Sequence, residues 1–170
     1  MKIEYVHASK YGNGAAVAEA FKNDMATRGV EVTIHHIQDV EQKALPPADL
    51  YLFSSPGRFG RPIRGMQRFL RDLQLPAGTP YALLTTEMAP KPDRKTGRMP
   101  TEEEICKYQK VRPIMNESLE SKGLVKVAED KVYVTAIHGP LEDGWQRTVE
   151  AFAARIPISE VAGSTSPGTP

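Results

Sequence analysis

The chain is 170 residues long, enough for one domain with a sizeable core and no covalent staples. Its 22 Lys+Arg and 21 Asp+Glu leave a formal +1 at pH 7, so no nucleic acid is expected as a main partner. A single cysteine, Cys106, excludes an intramolecular disulfide and any Cys-based zinc or iron–sulfur centre, and the lack of a long apolar run sets the expectation of a soluble, cytoplasmic protein without stable membrane insertion.

Strand and helix signals alternate from the N-terminus. Ile3–His7 is rich in β-formers and predicts a first strand. A small polar loop follows, and Gly14–Arg28 then carries Val17, Phe21 and Met25 at helical spacing until Gly29, a helix-closing glycine. Glu31–Ile37 alternates as a second strand, with Val32, Ile34 and His36 on one side. Asp49–Ser54 is a near-continuous apolar run, as expected of a strand buried on both faces. Ile63–Leu73 places Ile63, Met66, Phe69, Leu70 and Leu73 on one helical stripe, with Arg64, Arg68 and Arg71 opposite as a solvated face.

Tyr81–Thr86 predicts a fourth strand, followed by a loop to Pro100 that holds Lys91, Arg94, Lys95 and Arg98. Thr101-Glu102-Glu103-Glu104 has the form of a capping box and opens a long helix, expected to kink at Pro113 and to end at Gly123. Val132–Ile137 predicts the fifth strand and Leu141–Ile156 the last helix, with Trp145, Val149, Phe152 and Ala153 at helical spacing. Residues 1–156 thus form the folded domain, and 157–170, poor in large apolar side chains, read as a mobile tail. Strands separated by helices imply right-handed crossovers, a parallel sheet and helices on both faces. In such a sheet ligands bind beyond the carboxyl ends of the strands, so chemistry is expected in the loops after the first, third and fourth strands.

The first of these loops, Ser9-Lys10-Tyr11-Gly12-Asn13-Gly14, places backbone N–H groups and a hydroxyl at a helix N-terminus, an arrangement suited to an anion such as a phosphate. The loop after the third strand reads Ser55-Pro56-Gly57-Arg58-Phe59-Gly60, with two glycines that admit close backbone approach and an aromatic face at Phe59. Together the two loops resemble those of the flavodoxin-like FMN-binding family. The first is similar to that family's Ser/Thr-x-Thr-Gly-x-Thr phosphate loop. The second, with the Ser-x-Tyr-Gly of the first, is similar to the WrbA-type quinone reductase branch.

The resemblance covers Lys2 to about Leu73 by motif and continues to Ile156 only as element order. It departs at Tyr11 and Gly14, where many flavodoxins have threonines. It implies a flavodoxin-like three-layer sandwich, a five-stranded parallel sheet of order 2-1-3-4-5, and FMN as cofactor. Ser9, Lys10, Tyr11, Gly12, Asn13 and Gly14 would hold the phosphate. Pro56, Gly57, Arg58, Phe59 and Gly60 would meet the flavin ring, with Phe59 as the stacking aromatic and Gly57 free to turn its peptide toward the N5/O4 edge. Thr85, Thr86 and Glu87 would border the pyrimidine edge, and the basic loop beyond them would serve as a lid or a docking surface.

No Ser–His–Asp or metal-ligand constellation stands out, His138-Gly139-Pro140 reads as a turn, and no catalytic residue is assigned. The function implied is electron transfer between redox partner proteins. The alternative is an FMN-dependent oxidoreductase acting on a quinone or nicotinamide substrate, supported by the absence of the acidic charge usual in flavodoxin carriers. Against it, members of the WrbA-type branch are longer, with extra segments that build a shared site in a tetramer; a homo-oligomer belongs to that alternative. A menaquinone-linked protoporphyrinogen oxidase shares the long basic loop but fits the loop motifs less well. A third class is a binding module that kept the fold and lost the flavin.

Overall fold

The structure is a computed structural model, and residues 1–158 are described. In chain order the elements are β1 (Lys2–His7), α1 (Asn13–Ala26), β2 (Glu31–His36), β3 (Leu50–Ser54), β4 (Gly57–Arg58), β5 (Arg61–Pro62) and α2 (Arg64–Asp72). They continue with β6 (Pro80–Met88), α3 (Glu102–Tyr108), α4 (Val111–Glu120), β7 (Val125–Val134) and α5 (Trp145–Arg155). The tail proposed for 157–170 lies outside the described residues apart from its first two positions.

Five strands pair in parallel in the order β2-β1-β3-β6-β7, the 2-1-3-4-5 arrangement expected from the sequence. All five residues of β3 are buried, as an apolar run covered on both faces requires. Alternate side chains of each strand feed two separate cores. Ile3, Tyr5, Leu50 and Leu52 pack with Val17, Phe21 and Met25 of α1 and Val149 and Phe152 of α5. On the other face Val6, Phe53, Tyr81 and Leu83 pack with Met66, Phe69 and Leu70 of α2 and Val111, Met115 and Leu119 of α4. Gly29 and Gly123 close α1 and α4 as predicted, through Val30 N–H to the Met25 carbonyl and Leu124 N–H to the Leu119 carbonyl.

The structure differs from the sequence expectations in four places. The segment after β3 is a small antiparallel hairpin, β4–β5, with Phe59 and Gly60 at its turn. The long helix opened by Thr101 is two helices, and the break falls at Gln109–Lys110 instead of Pro113. Pro113 sits in the first turn of α4, where its missing N–H has no helical partner to lose. The break is fixed from outside: Lys110 N–H donates to the Gly60 carbonyl at 2.6 Å.

The fifth strand starts at Val125, seven residues before the apolar run that marked it. Its polar first half lies on a sheet edge, where Lys126 pairs with Glu129 and Arg155 with Asp130. Finally, α5 begins at Trp145 because Leu141 is taken by an antiparallel bridge to Val134, and Glu142 N–H by the Tyr133 carbonyl.

The hairpin's contact with the helix break is tight. Gly60 has φ +72, and a Cβ there would lie 1.9 Å from the Tyr108 carbonyl oxygen. Gly60→Ala is therefore expected to lose at least about 2 kcal/mol of stability, from the left-handed backbone and the backbone clash together, measured as the midpoint shift in urea unfolding.

Candidate functional site

The carboxyl ends of β1, β3, β6 and β7 meet at one edge of the sheet, and their loops enclose a small cleft. Its walls are Ser9, Lys10, Tyr11, Asn13 and Gly14; Pro56, Gly57 and Arg58; Thr86 and Met88; and Val134 and Ile137. Of the residues singled out in the sequence, these bring together Ser9, Lys10, Tyr11, Asn13, Gly14, Pro56, Gly57, Arg58 and Thr86.

The first loop is held from beneath by two histidines that carry no motif. Ser9 N–H donates to His7 Nδ1 at 3.1 Å, and His36 Nε2 lies 3.0 Å from the Ser9 carbonyl. Gln38 N–H donates to His36 Nδ1, which leaves Nε2 as the ring nitrogen directed at Ser9. The two rings meet edge to face at 5.2 Å. Burial, and then the neighbouring His36, push the His7 pKa down from 6.5 to about 4, with Asp39 acting in the opposite sense. The sequence offered one route to this pair: both residues end neighbouring strands of a 2-1-3 sheet.

Above the histidines the loop presents unused polar groups. Gly12 precedes α1 with φ 92 and no side-chain cap, a conformation that suits glycine and leaves the first helical N–H groups open. Ser9 Oγ is buried without a hydrogen-bond partner. Gly14 packs directly on it, since a Cβ at Gly14 would come within 3.1 Å of Ser9 Cβ and 3.4 Å of Ser9 Oγ. An orphaned hydroxyl beside an uncapped helix N-terminus leaves donors open that an oxyanion could accept.

The other end of the cleft is closed by side chains. The Tyr11 ring lies 4.1 Å from the His138 ring at a 40° tilt, with the Arg58 guanidinium 5.6 Å and Lys10 Nζ 5.9 Å from its centroid. The turn histidine of the sequence thus rests on Tyr11, which lines the cleft. What remains between these walls is a cavity of about 30 Å³, room for a water or two.

The loop after β3 is pinned on both sides. Thr86 N–H donates to the Ser55 carbonyl, and Ser55 Oγ accepts from Ile63 N–H. A Cβ at Gly57 would lie 2.9 Å from Val111 Cγ2, so contact with α4, not a positive φ, demands glycine there. Phe59 does not reach the cleft; it stands 99 % exposed at the hairpin tip with φ 51.

Thr85 and Glu87 do not line the cleft either, because alternate residues of β6 face opposite sides of the sheet. Thr85 Oγ1 donates to Glu87 Oε2, and Glu87 receives Arg112 Nε at 3.0 Å from α4. The basic loop beyond β6 turns on Asp93, whose carboxylate accepts from Lys95 and Thr96 N–H, and Arg98 pairs with Glu104. It lines none of the cleft. Among the described residues no group of three His, Cys, Asp or Glu converges on a metal position, and no helix is long and apolar enough to cross a membrane.

The strand order and the position of the cleft define a flavodoxin-like fold. Oxidised flavodoxin 2 from Bacillus cereus superposes with a TM-score of 0.69 at 19 % identity, covering 91 % of this chain and 97 % of that one. A flavodoxin from the domain Archaea gives 0.64 at 19 % identity, covering 90 % and 94 %. Rubredoxin oxygen:oxidoreductase from Desulfovibrio gigas gives 0.60 at 12 % identity, with 91 % of this chain matching 35 % of that longer one. No protein-family model matches the sequence, and no curated protein matches it.

The low pKa of His7 makes stability depend on pH. In the fold His7 stays neutral down to about pH 4, whereas in the unfolded chain it takes its proton near 6.5. The unfolded state therefore binds more protons between these values, and stability falls as pH drops from 6.5 toward 4, by at most about 1.4 kcal/mol per unit. His7→Asn, which keeps an acceptor for Ser9 N–H, is expected to remove this component. Urea unfolding of both proteins at pH 7, 5.5 and 4.5 measures it as a difference that shrinks toward acid.

Proposed function

We propose that the chain binds FMN at the Ser9–Gly14 loop and works as a flavodoxin-like redox protein passing electrons between partners. The observation that carries this is Ser9 Oγ, buried and unpartnered beside the uncapped N-terminus of α1, at the β1/β3 switch point. A phosphate monoester would satisfy that hydroxyl and the open N–H groups together. Lys10 adds charge that compensates for the hydroxyls missing at Tyr11 and Gly14.

The ring of the flavin, which supplies the electron chemistry when bound, would lie against Pro56–Arg58 and Thr86. Seating it requires Tyr11, which lines the cleft and rests on His138, to move aside. Around that position Met88, Val134 and Ile137 supply apolar wall that excludes water. Phe59, Thr85 and Glu87 are given no part in the site: one is at the hairpin tip and two are on the opposite face of β6.

The second reading, an FMN-dependent quinone oxidoreductase like the WrbA-type branch, draws on the near-neutral charge and the Arg58-Phe59-Gly60 match. Steady-state NADH and NADPH oxidation with a soluble quinone separates the two: enzyme-like turnover favours the second, slow or absent turnover the first.

The purified protein is expected to be yellow, or to quench FMN fluorescence on titration with an affinity of micromolar or tighter. A colourless protein without quenching would leave only a flavin-free module. Ser9→Ala is expected to weaken FMN by about tenfold while the cofactor-free protein keeps or gains thermal stability, because an unsatisfied buried hydroxyl is removed. Gly12→Asp places a carboxylate and a left-handed strain at the phosphate and is expected to weaken FMN further, by about a hundredfold.

A further inference from the structure

The hairpin and α2 carry a charge pattern that the cofactor site does not use. Arg61, Arg64, Arg68 and Arg71 are exposed in succession, and Arg58 adds a fifth at the hairpin. Arg71 pairs with Asp72 at the far end. Among the described residues, Arg58, Arg61, Arg64 and Arg68 have no carboxylate at ion-pair distance. With a chain total of +1, these arginines concentrate positive charge on this face.

Phe59 stands at the head of the same row. Its φ of 51 is a strained conformation for a bulky side chain, and the hairpin turn would be better served by glycine. Its 99 % exposure means that folding gains no burial to offset that strain. A large exposed aromatic ringed by arginines has the composition of an interface anchor.

The place of the patch matters as much as its charge. Lys10 and Arg58 line both the cleft and the open groove beneath Phe59, which runs past Arg61 to Arg64 and Gln67. A partner seated on this groove would therefore lie against the cofactor edge.

We propose that the Phe59 hairpin and the arginine face of α2 form the docking surface for an acidic protein redox partner, with Phe59 as its apolar anchor. This rests on the redox reading above, but docking itself needs no flavin. A broad, open row of arginines with one aromatic knob suits a carboxylate-covered protein surface better than a single phosphate, which needs a converging pocket.

The test measures binding of the full chain to a plant-type ferredoxin as an acidic redox protein and to cytochrome c as a basic one. The ferredoxin is expected to bind, to weaken at least about tenfold between 50 and 300 mM salt, and to outcompete cytochrome c. R61E/R64E/R68E is expected to weaken it by at least about tenfold with an unchanged circular dichroism spectrum. Phe59→Gly is expected to weaken it while Tm stays level or rises, which a structural role for the ring would reverse.

Absent or charge-insensitive ferredoxin binding would overturn the proposal. So would tighter binding of inorganic pyrophosphate or a single-stranded oligonucleotide at equal salt, or self-association that the triple variant abolishes. Flavin content is read separately from the absorption spectrum, so a colourless protein that still docks would sink the cofactor reading and not this one.

Discussion

Burial of β1, β3 and β6 between two helical layers is the constraint from which the rest follows. Strands covered on both faces cannot place polar side chains along their length without partners, so function is pushed to their ends. The charged groups that do sit inside are paired, Glu4 with His35 and Glu87 with Thr85 and Arg112, whereas the hydroxyls of Tyr5 and Ser54 are buried without a partner. Parallel pairing then brings the carboxyl ends of four strands to one edge, where backbone N–H groups emerge without a sheet partner. The cleft is the place where that edge is left incomplete.

Completing the edge takes two different devices. Beneath the first loop, two histidine rings act as fixed hydrogen-bond partners, one accepting from Ser9 N–H and the other directed at the Ser9 carbonyl. Beneath the second loop the support is packing: Val111 against Gly57 and the Ser55–Thr86 bond across β3 and β6. The two supports differ in response, the first sensitive to acid and the second to volume.

Legibility in the sequence followed the strength of local pattern. The strands themselves, the α1 stripe of Val17, Phe21 and Met25, the Thr101 cap and the glycine at the start of α1 were all readable, because each is set by residues within a few positions of one another. What was hidden depends on partners far along the chain. The α3–α4 break is imposed by the Gly60 carbonyl, some fifty residues away, and Pro113 drew attention only because it is the usual local suspect. The polar start of β7 reads as loop until its edge position is known. Thr85 and Glu87 lie at the expected strand end but face away from the cleft, since a strand's phase cannot be set from a run buried on both faces. Phe59 failed differently: it has the chemistry of a stacking residue, and its backbone turns it outward.

The bond between Gly60 and Lys110 gives the cleft a hinge on one side only. With the hairpin latched to the first turn of α4, widening the cleft from that wall would mean unwinding a helix start and breaking a packed contact at Val111. On the opposite wall the closure is two exposed rings, Tyr11 and His138, resting on each other. Parting those two rings takes a rotamer change, an event of picoseconds to nanoseconds, where a lid loop would take microseconds or longer. A guest's residence time would then be set by the grip of the anion loop, with the door itself contributing almost nothing to the delay.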